Sequence, residues 1–194
     1  MSDGIVMETN LKGGLKKGIG RMFSGESLFM ATYTSQRPGA HITLASSFPG
    51  TILALDLNGS KEYICQKDAF LCAEPDVVLS AHINNSVGAG FFGGEGFIMQ
   101  KLSGSGMAFV EIDGDLVEYN LAPGQQLLVD TGNVAGFETS VSMEIRQVQG
   151  LKNKLLGGEG LFNTLLTGPG KVWLQTMPIS NVANAMIEFI PTQG

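Results

Sequence analysis

Phe92-Gly93-Gly94-Glu95-Gly96-Phe97-Ile98 decides how this chain reads, because it has two counterparts. Phe23-Ser24-Gly25-Glu26-Ser27-Leu28-Phe29 precedes it and Leu156-Gly157-Gly158-Glu159-Gly160-Leu161-Phe162 follows it. The three glutamates stand 69 and 64 residues apart. A phrase that returns at a near-constant interval of that size marks a fold assembled from similar units. The 25 residues before Glu26 and the 35 after Glu159 together approach one further interval. Both chain ends are therefore expected to share a unit, in a closed arrangement of three. Closure removes the open sheet edges that invite aggregation.

A second mark travels with the first. Gly106 lies 11 residues after Glu95, and Gly170 lies 11 after Glu159. Pro49-Gly50 lies 24 after Glu26, which leaves 13 extra residues, placed near 31–43. Gly50, Gly106 and Gly170 are thus expected in equivalent turns. Residues 50–74 then align without a gap on 106–130, and Leu53, Phe109 and Trp173 fall on one core position.

The local pattern is that of strands. Thr51–Leu57, Asn58-Gly59 and Glu62–Cys65 read as strand, turn and strand, with Asn-Gly supplying the positive φ of a tight hairpin. Met107–Ile112, Asp113-Gly114 and Leu116–Asn120 read the same way. Phe70–Glu74, Leu79–Asn84 and Gln126–Asp130 are further apolar runs. Phe137–Val148 alternates Val141, Met143 and Ile145 with polar residues, the period of a half-buried strand. Helix is expected only as a short apolar turn over Asn181–Met186, capped by Ser180, before a last strand over Ile187–Ile190.

Composition agrees. Charged residues make up 15% of the chain against an ordinary ~25%, and glycine is about twice its usual share. That balance suits turns and short strands, and it excludes disorder, which needs high charge and little apolar content. The net charge of −6 disfavours nucleic acid, whose phosphates need clustered Lys and Arg. No stretch reaches the roughly 18 apolar residues of a membrane span, and no secretory pattern opens the chain. A cytoplasmic protein is expected.

The residue types that do chemistry are sparse. Cys65 and Cys72 are the only cysteines, lie in apolar runs and read as small buried hydrophobes. His41 and His82 are the only histidines and stand at unrelated positions. There is no nucleophile elbow and no phosphate-binding Gly-Lys-Ser/Thr loop. Glu26, Glu95 and Glu159 could converge on a cation, since oxygen-rich sites suit Ca²⁺ or Mg²⁺. A structural role is preferred. The flanking Gly25, Gly94 and Gly158 permit turn conformations, and a carboxylate satisfies free backbone N–H groups in such a turn. No catalytic, cofactor-binding or metal-binding residue is assigned, and no cofactor is expected.

The phrase at 157–162, the run Thr167–Thr176, Pro123-Gly124 and Val129-Asp130-Thr131-Gly132 together resemble the altered-inheritance-of-mitochondria protein 24 family. The resemblance covers residues 5–190. It implies an all-β fold like that of the tryptophan RNA-binding attenuation protein, with three similar sandwich or barrel units about a pseudo-threefold axis. It also implies homo-oligomers, and in some eukaryotic relatives a link to mitochondrial inner-membrane organisation. The family has no established catalytic set, and its usual strands before Ile5 are short or absent here, leaving the first unit incomplete. The expectation is a single compact all-β domain over 1–194, acting as a non-enzymatic oligomeric scaffold with protein partners. A ligand- or RNA-binding ring is the second reading, and an enzyme with an unrecognised site the third.

Overall fold

The computed structural model describes residues 1–10, 30–82, 99–147, 162–187 and 189. It divides into two compact units, Met1–Ala45 and Ser46–Gly194. Strands dominate, with one α-helix among the described residues.

The first unit is built on an antiparallel pair, β1 (Ile5–Asn10) and β2 (Met30–Ser35), in register from Ile5↔Ser35 to Asn10↔Met30. Its open end is tied by backbone. Gln36 N–H donates to the Gly4 carbonyl at 2.8 Å, and Ser2 N–H to that of His41 at 2.9 Å. Arg37 pairs with Asp3. The expected insertion over 31–43 is therefore corrected. Its first five residues belong to β2, because alternating Ala31, Tyr33 and Ser35 extend as a strand opposite β1.

The second unit holds β3 (Gly50–Asn58), β4 (Tyr63–Gln66), β5 (Phe70–Ala73), β6 (Val77–His82) and the 15-residue β7 (Met99–Asp113). β8 (Leu116–Leu121), β9 (Gln126–Asp130), β10 (Val134–Glu138), β11 (Ser142–Gln147), β12 (Phe162–Thr167) and β13 (Gly170–Gln175) follow. The chain ends in α1 (Ile179–Ile187).

β7 organises the first half. Its N-terminal part lies between β4 and β6, and its C-terminal part between β3 and β5. β12 and β13 do the same work in the second half, β12 between β9 and β11, β13 between β8 and β10. The registers correspond residue for residue when 64 is added to each number. Leu57↔Gly106 becomes Leu121↔Gly170, and Gln66↔Met99 becomes Asp130↔Asn163. His82↔Met99 becomes Arg146↔Asn163. Even the β-bulge between Phe70 and Cys72 returns between Val134 and Gly136. Single 3₁₀ turns at Lys67–Ala69 and Thr131–Asn133 keep the same interval. The halves join where β4 pairs with β10, Cys65 opposite Gly136 and Tyr63 opposite Glu138.

Several sequence expectations are corrected here. Gly59 and Gly114 do take positive φ, +79° and +74°. Yet among the described residues β3 forms no ladder with β4, nor β7 with β8. Each turn hands the chain to a different part of the sheet instead of folding it back. Phe137–Val148 is two strands, because the backbone turns at Thr139-Ser140, closed by Val141 N–H donating to the Glu138 carbonyl at 2.9 Å. Ser180 does not cap the helix. Ile179 N–H donates to the Asp113 carboxylate at 2.9 Å, one residue earlier, and Ile187 ends the helix rather than starting a strand.

Two apolar clusters fill the second unit. One gathers Leu55, Leu57, Tyr63, Leu102, Val110 and Trp173; the other Ile64, Met99, Phe137, Val141, Leu166 and Val172. Phe137 and Leu166 are 1% and 0% exposed. At roughly 1.5–3 kcal/mol for each large side chain removed from water, these clusters dominate the energetics of the fold.

Candidate functional site

Several acidic side chains of the second unit hold strands. Glu74, just past β5, accepts a hydrogen bond from the Met107 N–H at 2.8 Å. Glu138, ending β10, accepts one from the Lys171 N–H at 2.9 Å. Each donor follows a glycine of positive φ, Gly106 at +121° and Gly170 at +136°. Only glycine takes such angles without strain. Space demands it as well: a Cβ on Gly106 would stand 2.5 Å from the Glu74 carboxylate, and one on Gly170 would stand 2.5 Å from the Ser140 hydroxyl. Glu74 and Glu138 lie 64 residues apart, the interval of Glu95 and Glu159, and that spacing was the available signal for them.

Gly50 departs from its expected place beside these two. Its φ is not positive, it starts β3 opposite Asp113, and it bridges Gly114 in parallel. A Cβ there would lie 2.0 Å from the Ile112 carbonyl oxygen, so close backbone approach explains this glycine. Leu53 likewise matches Val117 by register, while Phe109 and Trp173 do correspond. Gly25, Glu26, Gly94, Glu95, Gly158 and Glu159 lie outside the described residues.

Glu118 is shared by two donors, the Lys171 ammonium at 2.8 Å and the Trp173 indole N–H at 2.9 Å. The lysine first and the indole second hold its carboxyl below the usual range, and Lys171 is raised in return. The Trp173 ring packs against Tyr63, centroids 5.6 Å apart. The Tyr63 hydroxyl donates to the Asp56 carbonyl at 3.0 Å, and burial, then Glu138 and Asp56, push its pKa up. Burial works against the charged form of Glu111. Hydrogen bonds from Ser47 and Ser46 outweigh it, and the carboxyl is held below its ordinary value.

Beneath these lies a buried polar network. The Gln175 amide donates to the Gly132 carbonyl at 2.9 Å and to Gln66 at 3.2 Å. Asn133 donates to the Gln175 carbonyl at 2.8 Å, and Thr164 to the Thr131 hydroxyl at 3.0 Å. Among the described residues no buried side-chain N or O lacks a partner, so the network is fully satisfied.

Reactive groups are subdued. Burial pushes the Cys65 thiol up to about 12 and raises Cys72 as well, so neither is a thiolate at neutral pH. His82 is lowered, by burial first and then by Lys101, and stays neutral. It borders a shallow cleft of about 280 Å³ with Ile64, Phe137, Thr139, Ser140 and Met143. Among the described residues no three His, Cys, Asp or Glu stand close enough to hold a metal ion. No described helix is long and apolar enough to cross a membrane.

The family model described as Mitochondrial biogenesis AIM24 matches residues 1–177. The chain belongs to this family. Its fold is similar to the crystal structure of a Streptococcus pyogenes protein, at a TM-score of 0.72 and 24% identity, covering 97% of this chain and 84% of that one. At that identity the likeness shows the fold alone. Among curated proteins nothing matches this chain.

Proposed function

We propose that this AIM24-family chain is a non-enzymatic scaffold that works by association, with copies of itself and with a protein partner. The observation that carries this reading is the contrast between its polar and apolar groups. Glu74, Glu111, Glu118 and Glu138 are bound to backbone, hydroxyl, indole and ammonium groups of the chain itself. Apolar side chains meanwhile stand open at the C-terminal end of the second unit: Met177, Ile179, Met186, Ile187 and Phe189 are each at least half exposed. Exposed apolar groups gathered in this way suit protein contact.

The 64-residue recurrence of register supports a fold of repeated units, and β1–β2, paired as β6–β7 and β11–β12 are, supplies part of a third. A pseudo-threefold arrangement like that of the tryptophan RNA-binding attenuation protein, within a single all-β domain, is the reading this recurrence favours, with the third unit only partly filled by β1 and β2. The cleft beside His82, at about 280 Å³, stands at the lower bound of the ~300–1,000 Å³ of usual ligand sites. Several described cations are paired with carboxylates, among them Lys101 with Glu62 at 2.7 Å and Lys171 with Glu118 at 2.8 Å, which leaves fewer for nucleic acid. Light scattering after size exclusion tests the reading. Particles of several 20.5-kDa chains at micromolar concentration are expected, and a monomer at every concentration would overturn it.

A further inference from the structure

The 64-residue correspondence shows two strand edges that are unpaired among the described residues. β4 pairs with β7 on one side and β10 on the other; its counterpart β9 pairs, among the described residues, with β12 alone. β10 pairs with β13 and β4; its counterpart β5 pairs, among the described residues, with β7 alone. The free edge of β9 thus corresponds to the β4 edge that receives β10, and the free edge of β5 to the β10 edge that receives β4. Each is one side of a ladder whose other side the same chain carries.

Burial follows the same division. Tyr63, Ile64 and Cys65 of β4 are 3–5% exposed, whereas Leu128, the counterpart of Ile64, is 55% exposed. Val134, Ala135 and Phe137 of β10 are buried, whereas Phe70, Leu71, Cys72 and Ala73 of β5 are only half-buried. Leu127-Leu128-Val129 and Phe70–Ala73 carry neither charge nor proline, two of the devices that protect an open edge, while β5 is short and bulged.

The geometry points to a second copy of this chain as the occupant, β5 of one molecule adding to β9 of the next. This deepens the scaffold reading and rests on it. The β4–β10 register, moved by 64, places Cys72 of one copy opposite Val129 of the other, Ala73 opposite Leu128, and Glu74 opposite Leu127. Cys72 brings a Cβ where Gly136 has none. A Cβ on Gly136 would stand 2.8 Å from the Ile64 carbonyl oxygen, so the ladder opens slightly at that pair. The contact is heterologous, since different edges meet, and among the described residues every copy keeps one unpaired edge of each kind. Such contacts close into rings or run on as filaments.

Cysteine trapping tests it. A Cβ on Gly136 would lie 3.0 Å from the Cys65 sulfur, about the separation found across a disulfide with its ~2.04 Å S–S bond. Val129→Cys in the full chain should therefore link to the native Cys72 of a neighbour under mild oxidation. A ladder of dimers, trimers and higher species is expected on a non-reducing gel, with the 72–129 peptide pair found by mass spectrometry. Cys72→Ser should abolish it, and Gln126→Cys, out of register, should not link. If Val129→Cys misfolds, mixing Ala73→Cys with Leu128→Cys, both in a Cys72→Ser background, should give links only in the mixture. Light scattering runs on the same samples. Oligomers that form without these links overturn the edge pairing and leave the scaffold standing, as would links to an unrelated protein. A monomer throughout overturns both.

Discussion

Replacing Gly106 with alanine should destabilise the protein through two separable effects. The residue holds φ at +121°, where a side chain strains the backbone by ~1–3 kcal/mol. The new Cβ would also meet three atoms of Glu74 alone, at 2.5, 3.0 and 3.5 Å. The carboxylate must swing away and release the Met107 N–H, which costs about 1 kcal/mol for an exposed bond of this kind. The total is about 2–4 kcal/mol, or a Tm lowered by roughly 4–16 °C at 2–4 °C per kcal/mol for a chain of this size. The two parts separate in a double-mutant cycle. Glu74→Ala removes the bond and the 2.5 Å contact and leaves only its own Cβ at 3.0 Å, so adding Gly106→Ala on top should cost the backbone strain and that residual contact. Urea unfolding of wild type, both single variants and the double variant measures this. A non-additivity of about 1 kcal/mol is expected. A Gly106→Ala cost under ~1 kcal/mol, fully additive with Glu74→Ala, would refute the account of why a glycine stands there.

Phe137→Ala empties a buried site at the β4–β10 junction and should cost about 3–5 kcal/mol in the same urea assay. The Glu118 carboxyl sits below its ordinary 4.5, so its contribution to stability is present above that value and lost as pH falls through the lower, folded one; Glu118→Gln should flatten this acid limb in unfolding measured across pH 3–5. Its partner Lys171 is raised, so its share is present below the unfolded lysine value and lost only as pH climbs through the folded one. Cys65, buried and pushed up to about 12, should resist alkylation at pH 8 until urea unfolds the chain, while partly exposed Cys72 reacts first; mass spectrometry of the modified thiols shows the order.

Strand content was legible because alternation and turn glycines act locally, and Asn58-Gly59 and Asp113-Gly114 do turn the chain. Strand pairing was not. A positive φ fixes where the backbone reverses, not which neighbour awaits the next strand, and β7 takes both β3 and β4. Gly50 was grouped with Gly106 and Gly170 because spacing cannot separate a glycine needed for its φ from one needed for close packing. Glu74 and Glu138 escaped notice because neither sits in a conspicuous phrase, and their role depends on a strand 33 residues away. The break at Thr139-Ser140 was hidden because the alternation of apolar residues continues through it.

The 15-residue β7 has a kinetic consequence. It is the common partner of β3, β4, β5 and β6, and its ladder with β3 joins residues 47–63 positions apart in the chain. Closing loops of that length costs entropy before any contact rewards it, so folding of the first half must wait for β7 to arrive. Once β7 is seated, no neighbouring strand can leave without exposing it. Amide protons along Ala108–Val110, held between β3 and β5, should then exchange with solvent only through global unfolding.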